Sequence, residues 1–335
     1  MAGRITYWDN VRGVAILLVI LAHSLHASVG MDPIDIAISS FHVYLFMVVS
    51  GYLFAGSLRH TTPYLLLTKG IQLVLPVLLF GTADYFIGYF DPQAGVQANL
   101  VNWYARCLRT LWFCQALFFC TMIVLVGNRV FKKKEWIFYI LVLCAFLVFP
   151  DFAEQRGTKA MFPAFLFGYY MKKQGWETVL KDRLSVLLPA SALVFSLLLV
   201  FYRSGMNFEN LGVCIFSGKA PWQEILYVDF YRVLIGLAGS VMTMSLLYWL
   251  EYRANACKNG ILASIGRHTL WIYIIHVYLW VYYFRHFSES LPHTYWMTLV
   301  VFLALLGVSY PLSVLMDRVW AGLQGRALKI CHVSE

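Results

Sequence analysis

Charged residues are scarce in this chain of 335 residues. Asp, Glu, Lys and Arg together make up 13% of it, about half of the ~25% that is usual in soluble proteins. Hydrophobic residues make up 60%, which is more than a soluble globule of this size can hide from water. The composition therefore excludes a soluble enzyme, a disulfide-rich secreted protein and a disordered protein, and it predicts a polytopic membrane protein.

Metal-binding motifs and linkers are also missing. The seven cysteines are scattered, with no Cys-x-x-Cys pair and no cluster of Cys and His, so we expect no metal site. No Gly/Ser-rich linker, low-complexity segment or internal repeat interrupts the sequence, which predicts one membrane domain over residues 1–335 without a separate soluble domain. We attribute the net charge of +9 to basic cytoplasmic loops and expect no nucleic-acid partner.

Long apolar runs predict an all-α fold of about ten transmembrane helices. The candidate segments are 12–29, 39–58, 70–90, 109–127, 135–150, 159–171, 184–202, 228–250, 260–283 and 295–316. A span needs about 20 apolar residues, and the fifth and sixth segments are short for this. Placing both termini in the cytoplasm puts 18 of the 26 Lys and Arg on the cytoplasmic side, in agreement with the positive-inside rule. No cleavage site for a signal peptide is convincing, so we interpret the first run as a retained helix.

Two ionisable residues of the first segment share one helical face. Arg12 and His23 are 11 residues apart, about 20° from three full turns, which sets them about 16 Å apart along the axis. Asp9, three residues before Arg12, is placed to brace it. Arginine binds phosphates bidentately and histidine exchanges protons near neutral pH. The spacing suits a long ligand with an anionic head and a distant reacting group. The alternative is an interfacial anchor and a helix-contact histidine.

Polar residues in other apolar segments are further candidates. Ser50 and Gly51 in the second segment permit close backbone approach, either for plain helix packing or as a slot for a ligand. His42 falls near the outer end of the same segment, where an acceptor substrate would reach it. The other candidates in the second, third and ninth segments are Tyr52, Asp84, Arg267 and His276.

These segments resemble the acyltransferase 3 family of integral-membrane O-acyltransferases over nearly the whole chain. The family carries Arg or Lys, ten residues and then His, which Arg12 and His23 match. Residues 46–52 resemble its Phe-x-x-Ser-Gly-Phe/Tyr signature with one extra residue before the serine, and the run ending at His276 also fits. The leading Phe41-His42 is similar to the fucose 4-O-acetylase-like branch. The chain departs from the family after the second segment, where only Lys69 stands in a stretch that is often richer in basic residues.

The resemblance implies a membrane O-acetyltransferase that takes acetyl-CoA from the cytoplasm and needs no metal. The acetyl group would pass to a sugar hydroxyl of a cell-envelope or exported glycan, including lipid-linked forms, at a bacterial inner membrane with both termini cytoplasmic. His23 would act as a base or as a transient acyl carrier, and both roles stay open. The implied CoA-binding residues are Arg12, Lys69, Ser50 and Gly51, with Asp9, His42, Tyr52, Asp84, Arg267 and His276 in support.

A transporter of a small anionic or sugar-like solute is the alternative function. Histidine and aspartate within membrane segments are also transporter features. The lack of a visible internal repeat counts against this alternative. A third class, a non-catalytic membrane scaffold, predicts that Arg12 and His23 tolerate substitution.

Overall fold

A computed structural model describes residues 6–30, 32–90, 99–149, 156–203, 206, 212–254, 260–280 and 292–333. All regular structure in these ranges is helical and none of it is strand, which confirms the predicted all-α class. The α-helices are α1 (Thr6–Ser28), α2 (Pro33–Ser39), α3 (His42–Ser57), α4 (Thr62–Lys69), α5 (Leu75–Phe90), α6 (Leu100–Thr110), α7 (Trp112–Val126), α8 (Glu135–Val148), α9 (Arg156–Lys173), α10 (Trp176–Asp182), α11 (Leu184–Val200), α12 (Trp222–Tyr252), α13 (Ile261–Arg267), α14 (Thr269–Leu279) and α15 (Tyr295–Ile330).

Several helical stretches are long and apolar enough to cross a membrane. Within the described ranges there are six: Tyr7–Ser28, Pro33–Ser57, Thr62–Gly88, Trp112–Val148, Trp222–Tyr252 and Tyr295–Ile330. Helices α10 and α11 make a seventh if this pair, bent by 95°, counts as one span. The chain is therefore a helical membrane protein with six to seven candidate spans.

The prediction of ten spans is not confirmed, although each of the ten predicted segments contains an α-helix. The fourth and fifth segments join in one stretch of 37 residues, Trp112–Val148. A straight helix of that length would be about 55 Å long, nearly twice the ~30 Å hydrocarbon core. The π-helical Gly127–Phe131 and the 3-10 turn Lys132–Lys134 interrupt its middle. Ten spans stays a prediction for this reason.

Two other predicted segments, the sixth and the ninth, are not among the candidate spans found in the described residues. Helix α9 has basic residues at both ends, beginning with Arg156 and ending with Lys172 and Lys173. The ninth predicted segment, 260–283, is described as far as residue 280, and within that part it breaks at His268 into α13 and α14, which have 7 and 11 residues. Each is shorter than the ~20 residues that one straight span needs. Charged ends and a helix break therefore lower the number of candidate spans, although both segments are helical.

The chain divides into two compact units. The first consists of Met1–Val49, Met171–Tyr202 and Leu234–Gly322, and the second of Ser50–Tyr170, Arg203–Val233 and Leu323–Glu335. In the second unit α5 packs on α6, and the backbone of α3 approaches that of α9 at Gly51, where an added Cβ would overlap the Phe165 carbonyl oxygen. The close approach predicted for the Ser-Gly pair is therefore present as helix packing.

In the first unit, α1 packs against α13 and α14 through glycine. A Cβ on Gly266 would overlap the carbonyl oxygen of Asp9, and one on Gly13 would overlap that of Leu262. Only glycine at these two positions lets the backbones of α1 and α13 touch, as small residues do in membrane helix pairs. Because α14 follows α13 after one residue, the same contact positions α14 beside α1.

The last helix runs antiparallel to α1. Thr298 near the start of α15 hydrogen-bonds with Ser28 at the end of α1. Further along α15, Asp317 contacts the ring of His268, the residue between α13 and α14. Arg12 of α1 lies at that same end, since it bonds to Thr269. Later on both helices, the ring of His23 of α1 lies 5.2 Å from that of His276 of α14, so these two helices run in the same direction and α15 runs in the opposite one.

Candidate functional site

Arg12 is held from two sides near the start of α1. Its Nη1 lies 3.7 Å from Asp9 Oδ1, and its Nη2 donates a hydrogen bond of 2.8 Å to Thr269 Oγ1. Asp9 is buried, while the Arg12 side chain keeps 21% of its surface exposed. The contact predicted between Asp9 and Arg12 is present. The guanidinium is thus fixed in orientation and still reachable for a ligand.

The helix break between α13 and α14 explains how Thr269 reaches Arg12. His268 leaves the helical path between α13 and α14, and its ring contacts Asp317 of α15. The buried Thr269 follows at once as the first residue of α14. The glycine contact of Gly266 with Asp9 brings this junction against the first turns of α1. One close packing contact therefore places the partner of Arg12.

His23 lies against the rings of His276, within α14, and of Trp280, the residue that follows α14. Its ring centroid is 5.2 Å from that of His276, with 30° between the planes. The Trp280 ring stacks on His23 at 5.7 Å and 20°. His23 is half-buried, whereas His276 is completely buried. The three rings make a cluster at the far end of the contact between α1 and α14.

Hydrogen bonding shows which nitrogen of His276 carries the hydrogen. His276 Nδ1 lies 2.9 Å from the Ile272 carbonyl oxygen. A carbonyl only accepts, so Nδ1 carries the hydrogen and Nε2 of the neutral ring is left as an acceptor. Among the described residues, neither His276 Nε2 nor the enclosed His23 Nδ1 has a hydrogen-bond partner. Because buried polar atoms are nearly always paired, these two nitrogens are candidate positions for a ligand.

The two ends of the site lie along parallel helices. Arg12 and His23 are 11 residues apart on α1, about 16 Å, and their partners Thr269 and His276 are 7 residues apart on α14, about 10 Å. An anion-binding group and a proton-exchanging group therefore lie on the same side of α1, both facing α14. This is the arrangement that the spacing in the sequence predicts.

The other predicted site residues of the first unit are His42, which lies within electrostatic range of His23, and Arg267. His42 is buried at the first position of α3, and its Nδ1 donates to the Ile38 carbonyl oxygen at 2.8 Å. Arg267 is exposed as the last residue of α13, next to the junction that carries Thr269. A supporting role of either residue in the reaction remains a prediction.

The remaining predicted residues belong to the second unit. Lys69, the last residue of α4, donates to Gln72 Oε1 at 3.3 Å. Tyr52 and Asp84 are buried within α3 and α5. The overlap at Gly51 favours helix packing for the Ser-Gly pair, and a slot for a ligand at Ser50 stays a prediction.

Sequence reasoning missed Thr269 and Trp280. A threonine raises no signal by itself, since it is common in helices, although it belongs to the run that ends at His276. Trp280 is hidden among eleven tryptophans, most of which are expected in interfacial belts. Its position four residues after His276 is the signal that was available, because residues i and i+4 share a helical face.

Comparison with known proteins identifies the chain as a membrane acyltransferase. The acyltransferase 3 family model, described as an acyltransferase domain, matches residues 5–318, so the chain belongs to that family. It is similar to "Nodulation protein NolL" of Sinorhizobium fredii (strain NBRC 101917 / NGR234), with 24% identity over 284 residues, 80% of this chain and 76% of the relative. "Nodulation protein NolL" of Mesorhizobium japonicum (strain LMG 29417 / CECT 9101 / MAFF 303099) is 22% identical over 281 residues, 80% and 74%. No solved structure matches.

Proposed function

We propose that this membrane acyltransferase is an O-acetyltransferase that moves an acetyl group from cytoplasmic acetyl-CoA to a sugar hydroxyl of a cell-envelope or exported glycan. The observation that supports this most is the pairing of α1 with α14, with Arg12 bound at one end and His23 in a ring cluster at the other. Membership of the family supports acyl transfer, and the resemblance described in the sequence analysis is the basis for proposing the acetyl donor and the carbohydrate acceptor.

Arg12 is proposed to hold the phosphates of CoA. A guanidinium binds phosphate through parallel N–H···O bonds, and the contact with Asp9 fixes the plane from which Arg12 offers its donors. Lys69, Ser50 and Gly51 are proposed as further donor-binding residues. An extended pantetheine arm leaving Arg12 along α1 would bring the thioester toward His23, about 16 Å away.

His23 is proposed to act on the acyl group. As a general base it would accept the proton of the attacking hydroxyl, a contribution that is typically worth ~10²–10⁴ in rate. As an acyl carrier it would attack the thioester itself and hold the acyl group briefly on a ring nitrogen. Asp9, His42, Tyr52, Asp84, Arg267 and His276 are proposed to support binding or orientation.

The proposed location is a bacterial inner membrane, with both termini in the cytoplasm and ten spans. The parallel course of α1 and α14 and the antiparallel course of α15 support the order of crossings, since they are the first, ninth and tenth predicted spans. The donor end of the site would then lie at the cytoplasmic surface and the outer end would face the glycan.

Purified protein in lipid nanodiscs, given radiolabelled acetyl-CoA and envelope glycan extract, tests the function. We expect label in the glycan fraction and stoichiometric release of CoA. Mass spectrometry of envelope glycans from cells with and without the gene should show the loss of one acetyl group. Solute flux in proteoliposomes without any acetyl transfer would favour the transporter and contradict the proposal.

A further inference from the structure

The unpaired nitrogen of His276 selects for a hydrogen-bond donor. Its Nδ1 is committed to the Ile272 carbonyl, so the buried Nε2 of the neutral ring only accepts. The carbonyl oxygen of a thioester and the oxygens of ionised phosphate are acceptors as well, and they offer nothing to this nitrogen. Resting on the proposed function, the donor for His276 is either a hydroxyl of the acceptor substrate or an amide N–H of the pantetheine arm, and the deoxy-sugar series below separates the two.

A single hydroxyl cannot serve both histidines as a donor. It has one hydrogen, and when His23 acts as the base that hydrogen belongs to the reacting oxygen. When His23 acts as the base, its accepting nitrogen and His276 Nε2, on rings 5.2 Å apart, therefore need two donors that lie close together. Neighbouring hydroxyls on one sugar ring supply such a pair.

We propose that the acceptor is a vicinal diol of a sugar, with its reacting hydroxyl at His23 and the adjacent hydroxyl donating to Nε2 of His276. In the transfer step the reacting oxygen bonds to the acyl carbon and its proton passes to His23. The carbon–sulfur bond breaks, and the CoA thiolate takes up the proton that His23 then releases. The hydroxyl on His276 keeps its proton and is not consumed, so His276 determines which hydroxyl of the sugar reacts.

The surroundings of His276 suit this recognition role. The residue is completely buried on α14, so water does not compete freely for its nitrogen. Trp280, the residue that follows α14, stacks on His23 at 5.7 Å and restricts the orientation of that ring. Its face also lies within the ~6 Å at which an aromatic ring stabilises a cation, such as the imidazolium formed when His23 takes the proton.

The test compares sugars that differ by one hydroxyl. Methyl glycosides of common sugars are screened with acetyl-CoA and the nanodisc-embedded protein, and the acetylated position of the best glycoside is mapped by NMR. Monodeoxy analogues lacking each hydroxyl next to that position are then assayed. We expect one of these deletions to lower kcat/KM ~10-fold or more, because the buried acceptor nitrogen loses its donor. Deletion of a hydroxyl further away should change it little.

Variants assign the effect to His276. In His276→Phe, which keeps a ring and removes both nitrogens, the glycoside and the critical deoxy analogue should react within ~3-fold of each other. His276→Gln, whose amide oxygen still accepts, should keep part of the preference. His332→Phe is the matched control, because His332 is an exposed histidine after the last helix and the variant should keep the full preference. Acetyl-CoA affinity and thermal unfolding check that each variant is folded.

Two results would overturn the diol proposal while leaving the O-acetyltransferase intact: equal rates for the glycoside and every neighbouring deoxy analogue, or a preference that persists in His276→Phe. The deoxy series in the unmodified protein decides the first point even if a variant does not fold. Absence of acetyl transfer to every glycoside and to the envelope extract would instead reject the proposed function itself.

Discussion

Replacing Arg12 by alanine is the most direct probe of the donor end. If the guanidinium binds a CoA phosphate, its removal deletes at least one charge-assisted hydrogen bond, which is worth ~1.5–3 kcal/mol. At 1.4 kcal/mol for each factor of ten, the Kd for acetyl-CoA should rise ~10- to 150-fold. Arg12→Lys should recover part of the loss, because the charge remains but the bidentate geometry does not. Isothermal titration calorimetry on nanodisc samples measures both values.

The structure also provides the controls for Arg12. Arg12→Ala leaves the buried Asp9 without its contact, so a general loss of stability has to be separated from the loss of phosphate binding. Thr269→Val removes only the hydroxyl that accepts from Arg12 Nη2, and it should weaken donor binding by less than tenfold. A ligand without phosphate gives the sharpest comparison. S-acetylpantetheine should bind the unmodified protein and Arg12→Ala with the same affinity. A Kd that rises equally for acetyl-CoA and S-acetylpantetheine would refute the phosphate contact.

Three further predictions concern catalysis, packing and topology. His23→Ala should bind acetyl-CoA normally and lose at least ~10²-fold in transfer rate, which is the low end for a general base, and His23→Gln should be no better. A transfer rate within a few fold of that of the unmodified protein would reject His23 as a catalytic residue. Gly266→Ala should lower the melting temperature, because the added Cβ overlaps the backbone of α1, whereas Gly322→Ala, on an open face of α15, should leave it equal or higher. Equal melting temperatures for the two variants would contradict the packing of α13 on α1. Reporter fusions at Lys133 and Gly325 should both report the cytoplasm, and an external signal at Gly325 would break the predicted topology.

Helical periodicity made the donor and reaction ends predictable. Residues on one helix obey a fixed rotation of 100° per residue, so the common face of Arg12 and His23, and the contact with Asp9, follow from spacing alone. The positions of the helices were also predictable, because apolar runs of sufficient length have few other conformations in a membrane. The number of crossings was not, since charge and breaks within helices decide whether a stretch forms one span, two or none.

Contacts between distant parts of the chain could not be predicted from the sequence. Thr269 is 257 residues from Arg12, and nothing local to either residue announces the pairing. The close contact between Gly266 and Asp9 brings Thr269 to Arg12, but the sequence does not say which helix a glycine in an apolar segment packs against. The acceptor role of His276 Nε2 depends on which carbonyl its other nitrogen meets, and that requires coordinates.

The long distance in sequence between α1 and α14, which are in contact in the fold, has a consequence for biosynthesis. Helix α1 is among the first segments to emerge from the ribosome, and Arg12 acquires its threonine partner only 257 residues later. At ~5–20 residues per second, that interval lasts about 13 to 50 s. During it the buried polar side chains of α1 must rely on water, lipid headgroups or the insertion machinery. The donor end is thus among the last features to form, so a nascent or truncated chain ending before α14 would carry every signature residue of the first helix and no acyltransferase activity.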